Sequence, residues 1–484
     1  MAAVALPAMP GATARAGLVA QIDAVLGQPR FAAASWGVAV VSLDSGHTLY
    51  AHHADQLLQP ASTAKLFTAA LSLSVLGADY RIPTRLLADG RLANGRLNGP
   101  LILYGMGDPT LGTAVSADWA DQLASQAAAR GLRFVHGDLI ADDSYFAGPS
   151  FGSGWEAGDL QSWFAVPSSA LSVQENVIEA TLVPGAASGR AARLTFEPAD
   201  AGFVLAGQIR TTQARTPNDI NLYRAPGERT LHAFGSIALG TPAQHFKLAM
   251  VDPALQAGAQ LRQALRRHGI QLTGKLRAAH WPQDDAIMPT DNNVLGEVLS
   301  PALRDILQSG LKRSQNLYLQ NLLLLAGAHV PVTTIGFKST ESRAIDAMDA
   351  LLVRIGIAPS SSLIGEGTGL SRRDLVTPNA MARVLTYLAA QPYAEMVRQA
   401  LPIAGVDGTL IGHMRRTAAE DNVHAKTGSM AYVHCLAGYV TTATGERLAF
   451  AIMLNNYQRP DHAPSAGSDV DAIAVLLANY RGRD

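Results

Sequence analysis

The chain has 484 residues, with 38 Lys and Arg against 39 Asp and Glu, and a formal charge of −1 leaves no basic excess for a nucleic-acid backbone. At 48% hydrophobic and 16% charged residues it is too apolar to stay disordered, and 44 glycines with 25 prolines imply many turns. Its single cysteine, Cys435, excludes an internal disulfide and a thiolate-rich zinc or iron–sulfur centre. No run approaches the roughly 18 consecutive apolar residues of a membrane span. The stretch from Phe67 to Ala78 is broken by hydroxyls, so no transmembrane anchor is expected. At ~150 residues per domain the length predicts about three domains.

Met1 to Ala14 is small and apolar and ends in Ala12-Thr13-Ala14. Without a basic leading segment it reads as a disordered tail or as a trimmed export signal. Alternation from Trp36 to Leu43, the Asp44-Ser45-Gly46 turn and the extended His47 to His52 predict a β-hairpin. Apolar residues at Leu66, Ala69, Ala70, Leu73 and Leu76 recur every three or four positions, which predicts a helix beginning near Ser62. From Tyr80 to about Gly274, short extended runs such as Pro83 to Leu87 and Leu101 to Tyr104 sit between turns. Within that span Ile178 to Pro184, Ala192 to Phe196, Gly202 to Ile209 and His232 to Ala238 predict a separate β unit. Helical patterning returns at Ala254 to His268, Val294 to Ala326 and Ser339 to Ile355. His424 to Met430, Val433 to Thr441 and Arg447 to Asn455 predict adjacent antiparallel strands, followed by a helix from Ser468 to Tyr480. Hairpin and helix at one end, with sheet and helix at the other, imply one domain split by an insertion.

Ser62-Thr63-Ala64-Lys65 places a serine and a lysine one turn apart at a helix start, where unpaired N–H groups stabilise negative charge. A lysine of lowered pKa can take the serine proton there; the alternative is a serine that only caps the helix. With six lysines in the chain, chance supplies about 0.4 matches to Ser-x-x-Lys. Ser309-Gly310-Leu311-Lys312 is a second match, but Ser309 lies within a helical stretch, where its hydroxyl bonds its own backbone. Lys426-Thr427-Gly428-Ser429 heads a predicted strand, and a cation, a hydroxyl and a glycine on one edge can hold a carboxylate, the glycine admitting a ligand closely. Ser314-Gln315-Asn316 carries little alone, yet the three motifs in this order form a joint match. Gly148-Pro149-Ser150-Phe151-Gly152 has the spacing of a nucleophile elbow without a strand before it or a helix after it. The 13 histidines include no His-Glu-x-x-His, and His424, His434, Cys435 and His52-His53 read as core, surface or turn residues, so no metal is expected.

With these motifs the chain resembles the D-alanyl-D-alanine carboxypeptidases and endopeptidases of the penicillin-binding protein 4 type. Further segments match the family in order: Gly105-Met106-Gly107-Asp108-Pro109-Thr110-Leu111, Ala141-Asp142-Asp143-Ser144-Tyr145-Phe146, Pro167 to Asn176, Thr368-Gly369-Leu370-Ser371-Arg372 with Thr377-Pro378, and Pro402 to Leu410. The likeness runs from about Leu18 to Tyr480. It implies a multidomain α+β fold, in which a transpeptidase-like domain of residues 15–78 and 285–484, an antiparallel sheet flanked by helices, is interrupted by two nested, largely β insertions. The first would comprise 79–176 and 246–284, and the second 177–245.

The resemblance also implies a serine D-Ala-D-Ala carboxypeptidase and D,D-endopeptidase that acts on peptidoglycan stem peptides and cross-links through an acyl-enzyme at Ser62, needs no cofactor, and is acylated by β-lactams. Lys65, neutral through burial and the charge of Lys426, would be the base. Ser314 would relay a proton to the leaving amine, Asn316 would orient Lys65 and the substrate amide, and Lys426 with Thr427 would hold the terminal carboxylate. Gly428 and Ser429 complete that wall, and the N–H groups of Ser62 and Ser429 would form the oxyanion hole. Thr368, Arg372 and Asp159 would contact the substrate side chain beyond the scissile bond. The implied place of work is the periplasm or another extracytoplasmic compartment, and no oligomeric state is implied. Four positions depart from the family pattern: Gln315 replaces Asp, Ser429 replaces Thr, and Glu366 and Thr368 replace Asp and Ser in a glycine-rich loop, which bears on side-chain preference. Competing readings are a β-lactamase or esterase with the same motifs, for which no water-activating Glu-x-x-Leu-Asn-like segment is found, and a non-catalytic β-lactam or peptidoglycan sensor, which goes with a transmembrane relay. A cytosolic peptidase follows only if Met1 is the true start with nothing removed.

Overall fold

The computed structural model describes residues 10–282, 293–331 and 335–483. Backbone contacts divide the chain into two units, Met1–Tyr80 with Ala302–Asp484, and Arg81–Pro301.

The first unit is built on a five-stranded antiparallel sheet in the spatial order Thr48–His52, Ser35–Ser42, Arg447–Asn455, Val433–Thr441, His424–Met430. Its central strand, Arg447–Asn455, is buried at every position after Arg447, and its side chains alternate between two faces. Leu448, Phe450, Ile452 and Leu454 enter a large core with Leu18, Ile22 and Leu26 of the helix Pro10–Leu26 and Val470, Ile473 and Leu477 of the helix Ala466–Ala478. On the other face of the sheet Ala39 packs against Ala382 of the helix Pro378–Ala389. That helix starts on two sequence signals, Pro378 in its first turn and the Thr377 side chain, which accepts the Ala380 N–H at 3.1 Å. Beyond it, the helices Lys65–Leu76 and Asn316–His329 pack together, the second buried along nearly its whole length.

The predicted hairpin, the three C-terminal strands and the helices at 65–76, 340–354 and 466–478 are present. Three expectations need correction. The tail reading of Met1 to Ala14 falls partly outside the described residues, and from Pro10 the chain is helical because Leu18, Ile22 and Leu26 bury one stripe. The helical stretch expected across Val294 to Ala326 is a strand, Val294–Ala302, and two helices, Leu303–Lys312 and Asn316–His329. The strand pairs with Arg81–Ala88 in the inserted unit, and Pro301 bars helix in the residue before it. The return to the first unit therefore falls at Ala302 rather than near 285, and residues 284 and 285 themselves lie outside the described residues. The helices Trp119–Ala129 and Ala394–Ala400 were not expected.

In the second unit a five-stranded sheet orders Leu276–Ala279, Leu139–Asp142, Leu101–Gly105, Arg81–Ala88 and Val294–Ala302. The helices Trp119–Ala129 and Pro253–Arg267 share a core with it through Trp119, Leu123, Leu261, Leu103 and Leu139. Two smaller sheets follow between Val177 and Ala249, with their own core at Leu182, Ile209, Ala233 and Ile237.

Phe450 is 0% exposed in the central strand, so Phe450→Ala is expected to cost the first unit about 3–5 kcal/mol in urea unfolding of the full chain, whereas Val204→Ala, 59% exposed, is expected to cost less than about 0.5 kcal/mol.

Candidate active site

Two of the six lysines, Lys65 and Lys426, have no solvent exposure at all. An ammonium group out of water needs acceptors or loses its charge, and the surrounding chain supplies the acceptors. Lys65 opens the helix Lys65–Leu76, directly after a single tight turn, Ala61–Ala64, that carries Ser62. Its Nζ lies 2.8 Å from Ser62 Oγ, 2.6 Å from Asn316 Oδ1 and 2.8 Å from the Thr368 carbonyl oxygen. Lys426 Nζ donates to Ser314 Oγ at 2.9 Å and to the Thr427 carbonyl at 2.8 Å. Ser62 is not the cap residue of either helical segment, the cap positions being Pro60 and Ala64.

Ser314 sits at a break between the helices Leu303–Lys312 and Asn316–His329, with φ of 55°. That break sends Ser314 to Lys426 and Asn316 to Lys65, while Gln315 between them is buried. Two glycines hold the Ser62 turn. A Cβ on Gly369, whose φ is +75°, would stand 1.9 Å from the Ala61 carbonyl oxygen, and one on Gly428 would stand 2.6 Å from that of Pro60. Gly428 thus admits the backbone of the Ser62 turn closely, where the sequence suggested that it admits a ligand.

Burial lowers the Lys65 amine to about 7, against the opposing pull of the Glu366 charge. Burial also lowers Lys426 well below the usual lysine range, and the charge of Lys65 adds to the effect. A neutral amine has two N–H donors and one lone pair. The charged amine donates to all three oxygens; once neutral, it can keep its two N–H groups on the carbonyl-type oxygens, which frees the lone pair for the Ser62 hydroxyl. The arrangement can therefore draw a proton off Ser62.

A model of the D-Ala-D-Ala carboxypeptidase 3 (S13) family matches residues 18–480. The chain belongs to this family. It is a serine-type D-Ala-D-Ala carboxypeptidase by that membership. The D-alanyl-D-alanine carboxypeptidase of Actinomadura sp. (strain R39) is 34% identical over 472 residues, which cover 95% of this chain and 84% of that protein. The crystal structure of penicillin-binding protein 4 from Haemophilus influenzae matches with a TM-score of 0.80 at 26% identity, covering 95% of this chain and 99% of that one. A structure of the same H. influenzae protein complexed with a β-lactam matches with a TM-score of 0.74 at 25% identity, covering 95% and 98%.

The remaining sequence-predicted residues of this carboxypeptidase fall in different places. Thr427 and exposed Ser429 lie on the Lys426 strand, and Thr427 Oγ1 is 2.7 Å from Thr409 Oγ1. Thr409 was not singled out, although it lies within the family-like segment Pro402 to Leu410. Thr368 needs correction as a side-chain contact for substrate: it is 0% exposed, and its hydroxyl donates to Glu366 Oε2 at 2.8 Å, so it reaches the site through its carbonyl. Arg372 donates to the Ala431 carbonyl at 3.0 Å, just past the Lys426 strand. Asp159 ends a short turn, Ala157–Asp159, in the inserted unit.

The decoys separate on environment. Lys312 is ion-paired to Asp407 at 2.5 Å, so Ser309 faces no lysine held for proton transfer. Ser150 is exposed in a loop without strand or helix beside it. His424 accepts from Arg398 at Nε2, 2.6 Å away, with Nδ1 3.1 Å from the Arg398 carbonyl, and the buried thiol of Cys435 is pushed up in pKa by desolvation. Among the described residues no three His, Cys, Asp or Glu side chains cluster to hold a metal, and no helix is long and apolar enough to cross a membrane.

Because the obstruction at Gly428 is backbone, Gly428→Ala is expected to lower stability by about 1–3 kcal/mol in urea unfolding. Ser429→Ala, exposed on the same strand, is expected to cost less than about 0.5 kcal/mol.

Proposed function

We propose that this carboxypeptidase works through an acyl-enzyme on Ser62, with peptidoglycan stem peptides ending in D-Ala-D-Ala as substrates and D-alanyl cross-links as further ones. The observation that carries the reading is the 2.8 Å contact between Ser62 Oγ and Lys65 Nζ, whose other two neighbours are carbonyl-type oxygens. Lys65 takes the Ser62 proton as Oγ bonds to the carbonyl carbon of the penultimate D-Ala. The N–H groups of Ser62 and Ser429 receive the developing oxyanion, a contribution of about 3 kcal/mol per donor. The C–N bond then breaks, and the proton held by Lys65 passes to the leaving amine by way of Ser314. Lys426, Thr427 and the Gly428–Ser429 edge hold the terminal carboxylate, and Arg372 borders the side-chain end of the cleft. Asn316 keeps Lys65 aimed. Water attacks the ester, the Oγ–C bond breaks, and Ser62 regains its proton.

A β-lactam offers the same reactive carbonyl in a ring, and the complex of the H. influenzae relative with one supports acylation of Ser62 by such compounds. A substrate in the cell wall places the enzyme outside the cytoplasm. Within the insertion, residues 177–245 are proposed as a nested domain, a division supported by the separate core at Leu182, Ile209, Ala233 and Ile237.

Intact-protein mass after incubation with a penicillin tests the nucleophile. One adduct per chain is expected in the natural protein and in Ser309→Ala, and none in Ser62→Ala; an adduct that survives in Ser62→Ala contradicts the assignment. Lys65 must be neutral to accept the proton, and its folded-state value is lowered to about 7. The acylation rate is therefore expected to rise about tenfold per pH unit below that value and to level off above it. A rate independent of pH between 5 and 9 would exclude Lys65 as the base.

A further inference from the structure

The glycine-rich loop after Leu363, closed by the pairing of Ser362–Leu363 with Leu375–Val376, holds two carboxyl groups that the mechanism above does not use. Glu366 and Asp374 are both 0% exposed. The oxygens of Glu366 are well supplied with donors: Oε2 accepts the Thr368 N–H and the Thr368 hydroxyl, each at 2.8 Å, and Oε1 accepts the Ser371 N–H at 3.3 Å. Asp374 Oδ1 accepts the Gly365 N–H at 2.8 Å, whereas its buried Oδ2 receives no donor from the described residues. The same short loop holds the two carboxyls: Asp374 binds the N–H of Gly365, the residue before Glu366, and its own N–H donates at 3.2 Å to the carbonyl of Ser371, whose N–H donates to Glu366.

Two ionised carboxylates in one loop with no solvent to screen them repel, and a single proton resolves both the repulsion and the unmet Asp374 oxygen. The Glu366 oxygens already have their donors and Asp374 Oδ2 has none, so the proton belongs on Asp374. Burial first, and then the Glu366 charge, raise Asp374 to about 10, in keeping with that placement.

We infer that Glu366 and Asp374 hold one proton between them, so that the loop presents a single buried negative charge which positions Lys65 through Thr368 and sets the pH at which its amine becomes free. The inference rests on the reading of Lys65 as the base. Glu366 grips Thr368 by both N–H and hydroxyl, and the Thr368 carbonyl accepts from Lys65 at 2.8 Å. Gln320 ties the loop to the helix Asn316–His329, accepting the Gly367 N–H at 2.7 Å and donating to Glu341 at 2.7 Å. Of the other charged groups, Glu341 faces the pair from the helix Thr340–Arg354, and Lys426 faces Lys65 from its strand. Arg372 is turned to the Ala431 carbonyl, and Arg373 is exposed. Neither carboxyl touches substrate in this account; both are positioning residues.

The test is the pH dependence of acylation by a penicillin in the full chain carrying Asp374→Asn, Glu366→Gln or Glu366→Asp. Asp374→Asn supplies the same donor to Glu366 and the same acceptor to Gly365 without changing the net charge, so the acid limb is expected to keep its midpoint. Glu366→Gln removes the charge that holds Lys65 up, and the limb is expected to move to lower pH by roughly one unit or more. Glu366→Asp keeps the charge and is expected to restore the wild-type midpoint. A limb displaced as far by Asp374→Asn as by Glu366→Gln would show two charges and overturn the inference. Unmoved midpoints in all three variants would overturn it too. Should Glu366→Gln fail to fold, a downward shift in Asp374→Asn alone suffices to refute the shared proton. A wild-type protein with no acid limb would refute the base reading first and this inference with it.

Discussion

The withdrawal of two lysine side chains from water in one small cluster is the constraint on which the rest of this structure depends. An ammonium group buried without partners costs several kcal/mol. The protein meets that cost at Lys65 with oxygens drawn from three separate parts of the chain, Ser62, Asn316 and Thr368. Each of these is delivered by a local feature: a tight turn before a helix, a break between two helices, and a buried glycine-rich loop. The same burial that makes the site costly lowers the amine to about 7, where it can act as a base. Stability and chemistry therefore draw on one arrangement.

The contrast between the two Ser-x-x-Lys matches shows which part of that arrangement matters. Ser62 with Lys65 and Ser309 with Lys312 have the same spacing at or in a helix. Lys312 retains some contact with solvent and is ion-paired with Asp407. Lys65 has neither solvent nor a directly bonded carboxylate, and only there does the spacing yield a possible base. Spacing supplies the candidate, and environment selects it.

Much of this was legible in the residues. Strand-like runs separated by turns located His424–Met430, Val433–Thr441 and Arg447–Asn455, the last of them buried on both faces. The three motifs named the side chains that meet around Lys65 and Lys426. The break at Ser314 was not legible, since a positive φ at serine leaves no mark of the kind glycine leaves. Val294–Ala302 was read as helix because a short apolar run does not distinguish the two states without its partner strand. The Thr368 hydroxyl was expected at the substrate and turned instead to Glu366, since a motif specifies a residue and not its rotamer. Glu366 and Asp374 are brought into one loop only because it closes on itself, which no periodicity announces.

The central claim, that the amine beside Ser62 is neutral at working pH, is open to direct observation. Only six lysines are present, so a protein labelled with ¹³C at the lysine ε carbons gives a spectrum simple enough to titrate, with Lys65 assigned by the signal lost in Lys65→Arg. The account predicts that this signal changes from the ammonium to the amine form near pH 7. A Lys65 signal that keeps its ammonium form to pH 10 would contradict it.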